Sequence, residues 1–120
     1  MKIAISSQGL DLSSMVDPRF GRAPYFIVFD TENDDFEVIT NTKNVQAAQG
    51  SGIQTAEAVV RKGVDLVISG NLGPKAFDVL SEAGIKAALW SEGTVLQAVN
   101  QAKKGQLQTI DKPNVGEHWT

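Results

Sequence analysis

Two closely spaced arginines are the residues in this sequence best suited to binding an anion. Arg19 and Arg22 flank Phe20 and Gly21, and they are two of only three arginines in a chain of 120 residues. A guanidinium group stays charged and offers several hydrogen-bond donors in a planar fork that suits anions. The chain as a whole is acidic, with 14 Asp and Glu against 11 Lys and Arg. The sequence therefore predicts one local anion site.

Small polar residues and glycines follow the predicted parallel strands at their carboxyl ends. In open α/β sheets, ligands usually bind at this edge, where helix N-termini present free backbone N–H groups. The long loop that carries both arginines is predicted to leave from the same edge. The candidate cofactor-binding residues are Ser6, Ser7, Arg19, Phe20, Gly21, Arg22, Gly50, Ser51, Gly70, Asn71, Leu72, Gly73 and Ser91. No catalytic residue and no direct metal ligand are assigned.

Purely structural roles are the alternative for several of these residues. The two arginines could pair with Asp11 or Asp17 instead of holding a ligand. Phe20 could anchor the loop in the core, and the glycines could serve only as turn residues. The sequence leaves both interpretations open.

Composition excludes several classes of function. The chain has no cysteine, so it cannot form a disulfide or a zinc–thiolate site, and its single histidine, His118, cannot on its own supply a multi-histidine metal site. A formal net charge of −3 argues against nucleic-acid binding. No apolar stretch approaches the roughly 20 residues that span a bilayer, and the N-terminus does not resemble a signal peptide. We expect a cytoplasmic protein with no membrane contact.

The pattern of elements predicts one α/β domain. Apolar runs indicate strands at residues 2–6, 25–30, 36–40, 64–69 and 85–90, the second and third forming a hairpin. Helices are predicted to begin near Ser51, Pro74 and Thr94 and to end at Gly63, Gly84 and Gly105. Two strand–helix–strand links require parallel neighbours, which gives a mixed five-stranded sheet of order 3-2-1-4-5 with helices on its faces. Residues 1–105 form the predicted domain, and residues 106–120 form a loosely held C-terminal tail.

Five stretches of the chain resemble the dinitrogenase iron-molybdenum cofactor biosynthesis family. They are MKIAISSQG, RFGRAPYF, GSGIQTAEAVVRKGVDLVISGNLGPKAFDVL, AGIKAALW and EGTVLQAV, and the resemblance extends over roughly residues 1–105, nearly the whole chain. The resemblance implies a ribonuclease H-like fold. It also implies binding or delivery of a metal–sulfur cofactor without turnover of a substrate.

One departure from the family pattern bears on the cargo. Nitrogenase-linked members often carry a histidine before the Phe-Gly pair, whereas this chain has Arg19 there. Its size and lack of cysteine are similar to small cytoplasmic members that hold a molybdenum–copper sulfide cluster by non-covalent contacts. The resemblance therefore implies an anionic cluster of this kind that brings its own sulfide, with the iron–molybdenum cofactor or a precursor as the alternative cargo.

Two further functions are compatible with the sequence. The predicted rim of loops could dock a protein, so that the chain would be an interaction module for a partner ATPase or a cell-division complex. A nuclease is the enzymatic alternative for this fold. A two-metal nuclease needs several convergent carboxylates, and the predicted parallel strands contribute only Asp65. We therefore expect a non-catalytic protein.

Overall fold

The fold is built on one mixed β-sheet. The computed structural model describes residues 1–42 and 51–116. The strands are β1 (Lys2–Ser7), β2 (Tyr25–Asp30), β3 (Phe36–Thr40), β4 (Leu66–Ser69) and β5 (Lys86–Leu89). They lie in the order β3-β2-β1-β4-β5, which confirms the predicted order.

Strand direction fixes where a ligand site can form. β1 runs antiparallel to β2, and β2 runs antiparallel to β3. β1 runs parallel to β4, with Ile5 opposite Ile68, and β4 runs parallel to β5, with Ser69 opposite Leu89. The carboxyl ends of β1, β4 and β5 therefore meet at one edge, as the sequence predicts.

Within the described residues, the helices that precede or follow the parallel strands are α1 (Ser51–Val60), α2 (Pro74–Glu82) and α3 (Val95–Lys103). Pro74 opens α2, where its missing N–H costs no hydrogen bond. Thr94 and Gln97 form a capping box at the start of α3, which confirms that prediction. Gly84 ends α2 with a φ of 76°, a conformation that strongly favours glycine.

The sheet has an apolar cluster on each face because alternate residues of a strand point to opposite sides. Ala4 and Val67 face α1 and α2, and they pack with Phe20, Phe26, Val59 and Leu80 among others. Ile3, Ile5 and Ile68 face α3, and they pack with Val95 and Val99. The parallel strands β1 and β4 are therefore buried on both faces, which holds their carboxyl ends in a fixed place.

The prediction of a loosely held tail is wrong for the described residues that follow α3. Ile110 N donates to Ala87 O of β5 at 2.8 Å, and Thr109 forms an isolated bridge with Ala88. Leu107 and Ile110 pack against the two apolar clusters. β5 is the edge strand, so its outer backbone groups need partners, and the tail supplies them. Residues 117–120, with His118, lie outside the described residues.

No helix within residues 1–42 and 51–116 is long and apolar enough to cross a membrane.

Candidate functional site

The loop between β1 and β2 crosses the carboxyl edge of the sheet. Asp17 N donates to Ser6 O at the end of β1 at 2.8 Å. Val16 N donates to Gly93 O, beyond β5, at 2.9 Å. Farther along the loop, Phe20 N donates to Asn71 O, beyond β4, at 3.2 Å. The loop is therefore tied to all three strand ends, and it crosses the edge at which the sequence predicts the ligand site.

Ser6 and Ser7 lie beneath this loop with no exposed surface. The Ser6 hydroxyl is hydrogen-bonded to Asp17 O at 2.7 Å and to the Ser69 hydroxyl at 2.9 Å. The Ser7 hydroxyl bonds to the backbone of Gly9. Buried hydroxyls with these partners fix the course of the loop. Both predicted site residues therefore support the site from inside.

The loop packs tightly against the sheet edge at Gly70. A Cβ on Gly70 would lie 2.8 Å from Cα and O of Pro18, and 2.8 Å from Oγ of Ser91. Backbone atoms at that distance leave no room for a side chain. Gly70 and Ser91, both predicted site residues, are thus neighbours under Pro18.

Asn71 holds the chain on both sides of Arg19. Its side-chain Nδ2 donates to Pro18 O at 2.8 Å, and its backbone O accepts from Phe20 N at 3.2 Å. The Arg19 N–H is held in turn by Asp17 Oδ1 at 2.8 Å. The Arg19 backbone is therefore fixed by three neighbouring contacts, and its side chain is exposed. We call Arg19, Gly70, Asn71 and Ser91 the Arg19 rim.

Within the described residues, Arg19 forms no ion pair with Asp11 or Asp17, which is the alternative role for this arginine. The Asp11 carboxylate accepts from the Ser13 hydroxyl at 2.6 Å and from the Ser13 N–H at 3.1 Å. The side-chain hydrogen bond from Ser13 lowers the pKa of Asp11 below its ordinary 3.8. The ion pairs between described residues are Lys62–Glu37 and Lys103–Asp34. Asp17 binds a backbone amide, so the Arg19 guanidinium stays available to a ligand.

Phe20, Gly21 and Arg22 continue inward from the Arg19 rim. Phe20 is 1% exposed, and its ring meets that of Phe26 edge-on at 5.0 Å, so it anchors the loop in the core. Gly21 is buried and Arg22 is half-buried. Asn41 fixes the following turn, because its Nδ2 donates to Ala23 O and its N–H donates to Pro24 O, each at 2.8 Å. The sequence reasoning missed Asn41, which has no exposed surface.

The start of α2 lies directly after the Arg19 rim. Leu72 is 1% exposed and packs in the core, and Gly73 is the N-cap of the helix without a side-chain cap. Backbone N–H groups in the first turn of a helix have no partner within the helix, and they favour anions. Leu72 and Gly73 therefore contribute to the site through their backbone, which leads the chain into the first turn of α2. Ser51 opens α1 and is 2% exposed, and Gly50 lies outside the described residues.

Metal-ligating side chains are not grouped in the part of the chain that the structure describes. Residues 1–42 and 51–116 contain no group of three or more His, Cys, Asp or Glu that could hold a metal ion. Asp65, the carboxylate considered for a nuclease, precedes β4 and accepts from Lys2 N at 2.9 Å. That position is at the amino end of β4, opposite the Arg19 rim.

The sequence and fold are shared with a known family and with solved proteins. The chain matches the dinitrogenase iron-molybdenum cofactor family over residues 1–105. It is similar to the apo form of the orange protein from Desulfovibrio gigas, with 36% identity, a TM-score of 0.93, and 95% and 96% of the two chains covered. A NifB-like protein from Thermotoga is 40% identical, with a TM-score of 0.83 and coverage of 95% and 97%. An uncharacterised protein from Methanocaldococcus jannaschii is 29% identical over 114 residues, 92% of each chain.

Proposed function

Because the chain belongs to the dinitrogenase iron-molybdenum cofactor family, we propose that it binds and carries an anionic metal–sulfide cluster. The cluster is held without covalent bonds at the Arg19 rim, with Arg22 and the first turn of α2 as further donors. The similarity to the orange protein and to the NifB-like protein supports a role in handling metal clusters.

The fixed backbone and exposed side chain of Arg19 are the observation that carries this proposal. Binding to a donor that is already in position costs less conformational entropy than binding that must first order the loop that carries the donor. The guanidinium of Arg19 is in no ion pair within residues 1–42 and 51–116, so an incoming anion breaks no ion pair there. Its attraction for a charged cluster is strongest at low salt.

The donor chemistry favours a cluster that brings its own sulfide. Molybdenum and copper(I) prefer soft sulfur ligands, and the only sulfur in this chain is in Met1 and Met15. A molybdenum–copper sulfide cluster needs no protein thiolate, because inorganic sulfide completes its coordination. The iron–molybdenum cofactor or a precursor is the alternative cargo. It is less favoured because Arg19 occupies the position where nitrogenase-linked members of the family often carry a histidine.

The proposed activity is carriage, with no chemical turnover by this chain. We propose that the protein acts in the cytoplasm. We also propose that its fold belongs to the ribonuclease H-like class. A recipient protein is required by a carrier role, and a partner ATPase is one candidate for it.

Metal loading of the purified protein tests the proposal. Protein prepared without chelators is incubated with tetrathiomolybdate and copper, passed through a desalting column, and measured by visible absorption and metal analysis. We expect a coloured protein that retains molybdenum and copper together. Protein that leaves the column colourless and free of both metals contradicts the proposed function.

A further inference from the structure

Asn114, in the tail that follows α3, binds the connection between β4 and α2, which contributes Gly70 and Asn71 to the Arg19 rim. Its Oδ1 accepts from Leu72 N at 2.7 Å, and its backbone N donates to Leu72 O at 3.1 Å. Its Nδ2 donates to Asn71 Oδ1 at 3.1 Å. One residue of the tail thus satisfies both backbone groups of Leu72 and one side-chain oxygen of the rim. The tail reaches this place because Thr109 and Ile110 pair with β5.

The contact between the two asparagines fixes the direction of the Asn71 carboxamide. Because Asn114 Nδ2 donates to Asn71 Oδ1, the other end of that amide, Nδ2, faces Pro18 O and donates to it at 2.8 Å. A reversed Asn71 amide would set two oxygens against each other at Pro18 and two donors against each other at Asn114. The Asn114 contact therefore favours the one orientation in which Asn71 holds the chain beside Arg19.

We propose that Asn114 is a positioning residue for the cluster site. It orients the side chain of Asn71, and Asn71 in turn holds the backbone beside Arg19. The inference rests on the proposed function for its ligand, since the held residue is the one that binds the cluster. Asn114 lies outside residues 1–105, the part of the chain that matches the family. The tail thereby adds to the domain a support for the anion site.

Amide hydrogen exchange tests the positioning without any ligand. Asn114→Ala removes the acceptor of Leu72 N–H and the donor to Asn71, so exchange of both Leu72 N–H and Phe20 N–H should accelerate about three- to tenfold. Asn114→Asp keeps an acceptor for Leu72 N–H but turns an oxygen toward Asn71, so it should accelerate Phe20 N–H alone. Asn100→Ala, at an exposed position of α3, is the matched control and should change neither. Unchanged exchange of Phe20 N–H in both Asn114 variants overturns the proposal.

A double-mutant cycle on cluster loading tests the route through Arg19. Loading of tetrathiomolybdate and copper is measured for the wild type, Asn114→Ala, Arg19→Ala and the double variant. Asn114→Ala alone should weaken loading about three- to tenfold, and it should add nothing in the Arg19→Ala background. Equal effects of Asn114→Ala in both backgrounds, or no effect in either, contradict positioning through Arg19. A wild type that takes up no metal contradicts the proposed function instead, and the exchange of Phe20 N–H then decides the role of Asn114.

Discussion

Pro18 lies directly on Gly70, so that a Cβ on Gly70 would fall 2.8 Å from both Cα and O of Pro18. The loop that carries Arg19 therefore rests on the backbone of the β4–α2 connection, with no side chain between them. This contact explains why a glycine is needed at the end of β4. It also makes the position of Arg19 sensitive to a single methyl group placed underneath it.

Gly70→Ala should lower the free energy of unfolding by about 1–3 kcal/mol, because the loop must lift to admit the methyl group. It should also weaken loading of tetrathiomolybdate and copper. Gly84→Ala is the control: that position has open space but a φ of 76°, so we expect a loss of about 1–2 kcal/mol with unchanged loading. Denaturant unfolding and metal uptake on the same samples check both. If Gly70→Ala takes up tetrathiomolybdate and copper as well as the wild type, the position of the loop that carries Arg19 does not affect cluster binding.

Ser6→Ala should destabilise the protein by about 1–2 kcal/mol, since it leaves Asp17 O and the Ser69 hydroxyl without a buried partner. Ser81→Ala, at an exposed position of α2, should change stability by less than about 0.5 kcal/mol. Chemical denaturation measures both variants. A Ser6→Ala protein as stable as the wild type would refute the support role given to this hydroxyl.

Removal of residues 106–120 should lower the free energy of unfolding by about 2–4 kcal/mol. The truncation exposes Ala87 O and Leu72 N–H and uncovers the apolar surface that Leu107 and Ile110 contact. Thermal and denaturant unfolding measure the loss. A truncated chain with an unchanged thermal midpoint would mean that these tail contacts contribute nothing.

The sheet order and the helix ends could be predicted from the sequence because they depend on local patterns. Continuous apolar runs identified the parallel strands, and two strand–helix–strand links required β1, β4 and β5 to be neighbours. Thr94 with Gln97, and Pro74, are local signals for helix starts, and the structure has both.

The details of the candidate site could not be predicted, because they depend on long-range contacts. Asn41 and Asn114 bind residues 18 and 42 positions away, and neither belongs to a recognisable motif. The polar sequence of the tail predicts a loosely held segment. Nothing in its composition indicates that it pairs with the edge strand β5. The burial of Ser6 depends on a loop that crosses the sheet edge, and the strand pattern does not predict such a crossing.

Asp11 should titrate below 3.8 in an NMR pH titration, because the hydrogen bond from the Ser13 side chain favours its charged form. Ser13→Ala should raise the midpoint toward 3.8. A lowered pKa means that this turn contributes stability above pH 3.8 and loses it as the pH falls through the midpoint of Asp11. A midpoint at or above 3.8 in the wild type would contradict the turn geometry.

The guanidinium of Arg19 is the central donor of the proposed cluster site, and cluster uptake by matched arginine variants measures its contribution. Arg19→Ala should reduce the affinity for tetrathiomolybdate with copper about 10- to 150-fold while the thermal midpoint stays unchanged. Arg19→Lys should recover part of this loss, because a point charge lacks the planar fork. Arg61→Ala removes the same charge at an exposed position after α1 and should load like the wild type. Folded Arg19→Ala that loads as well as Arg61→Ala would contradict the account.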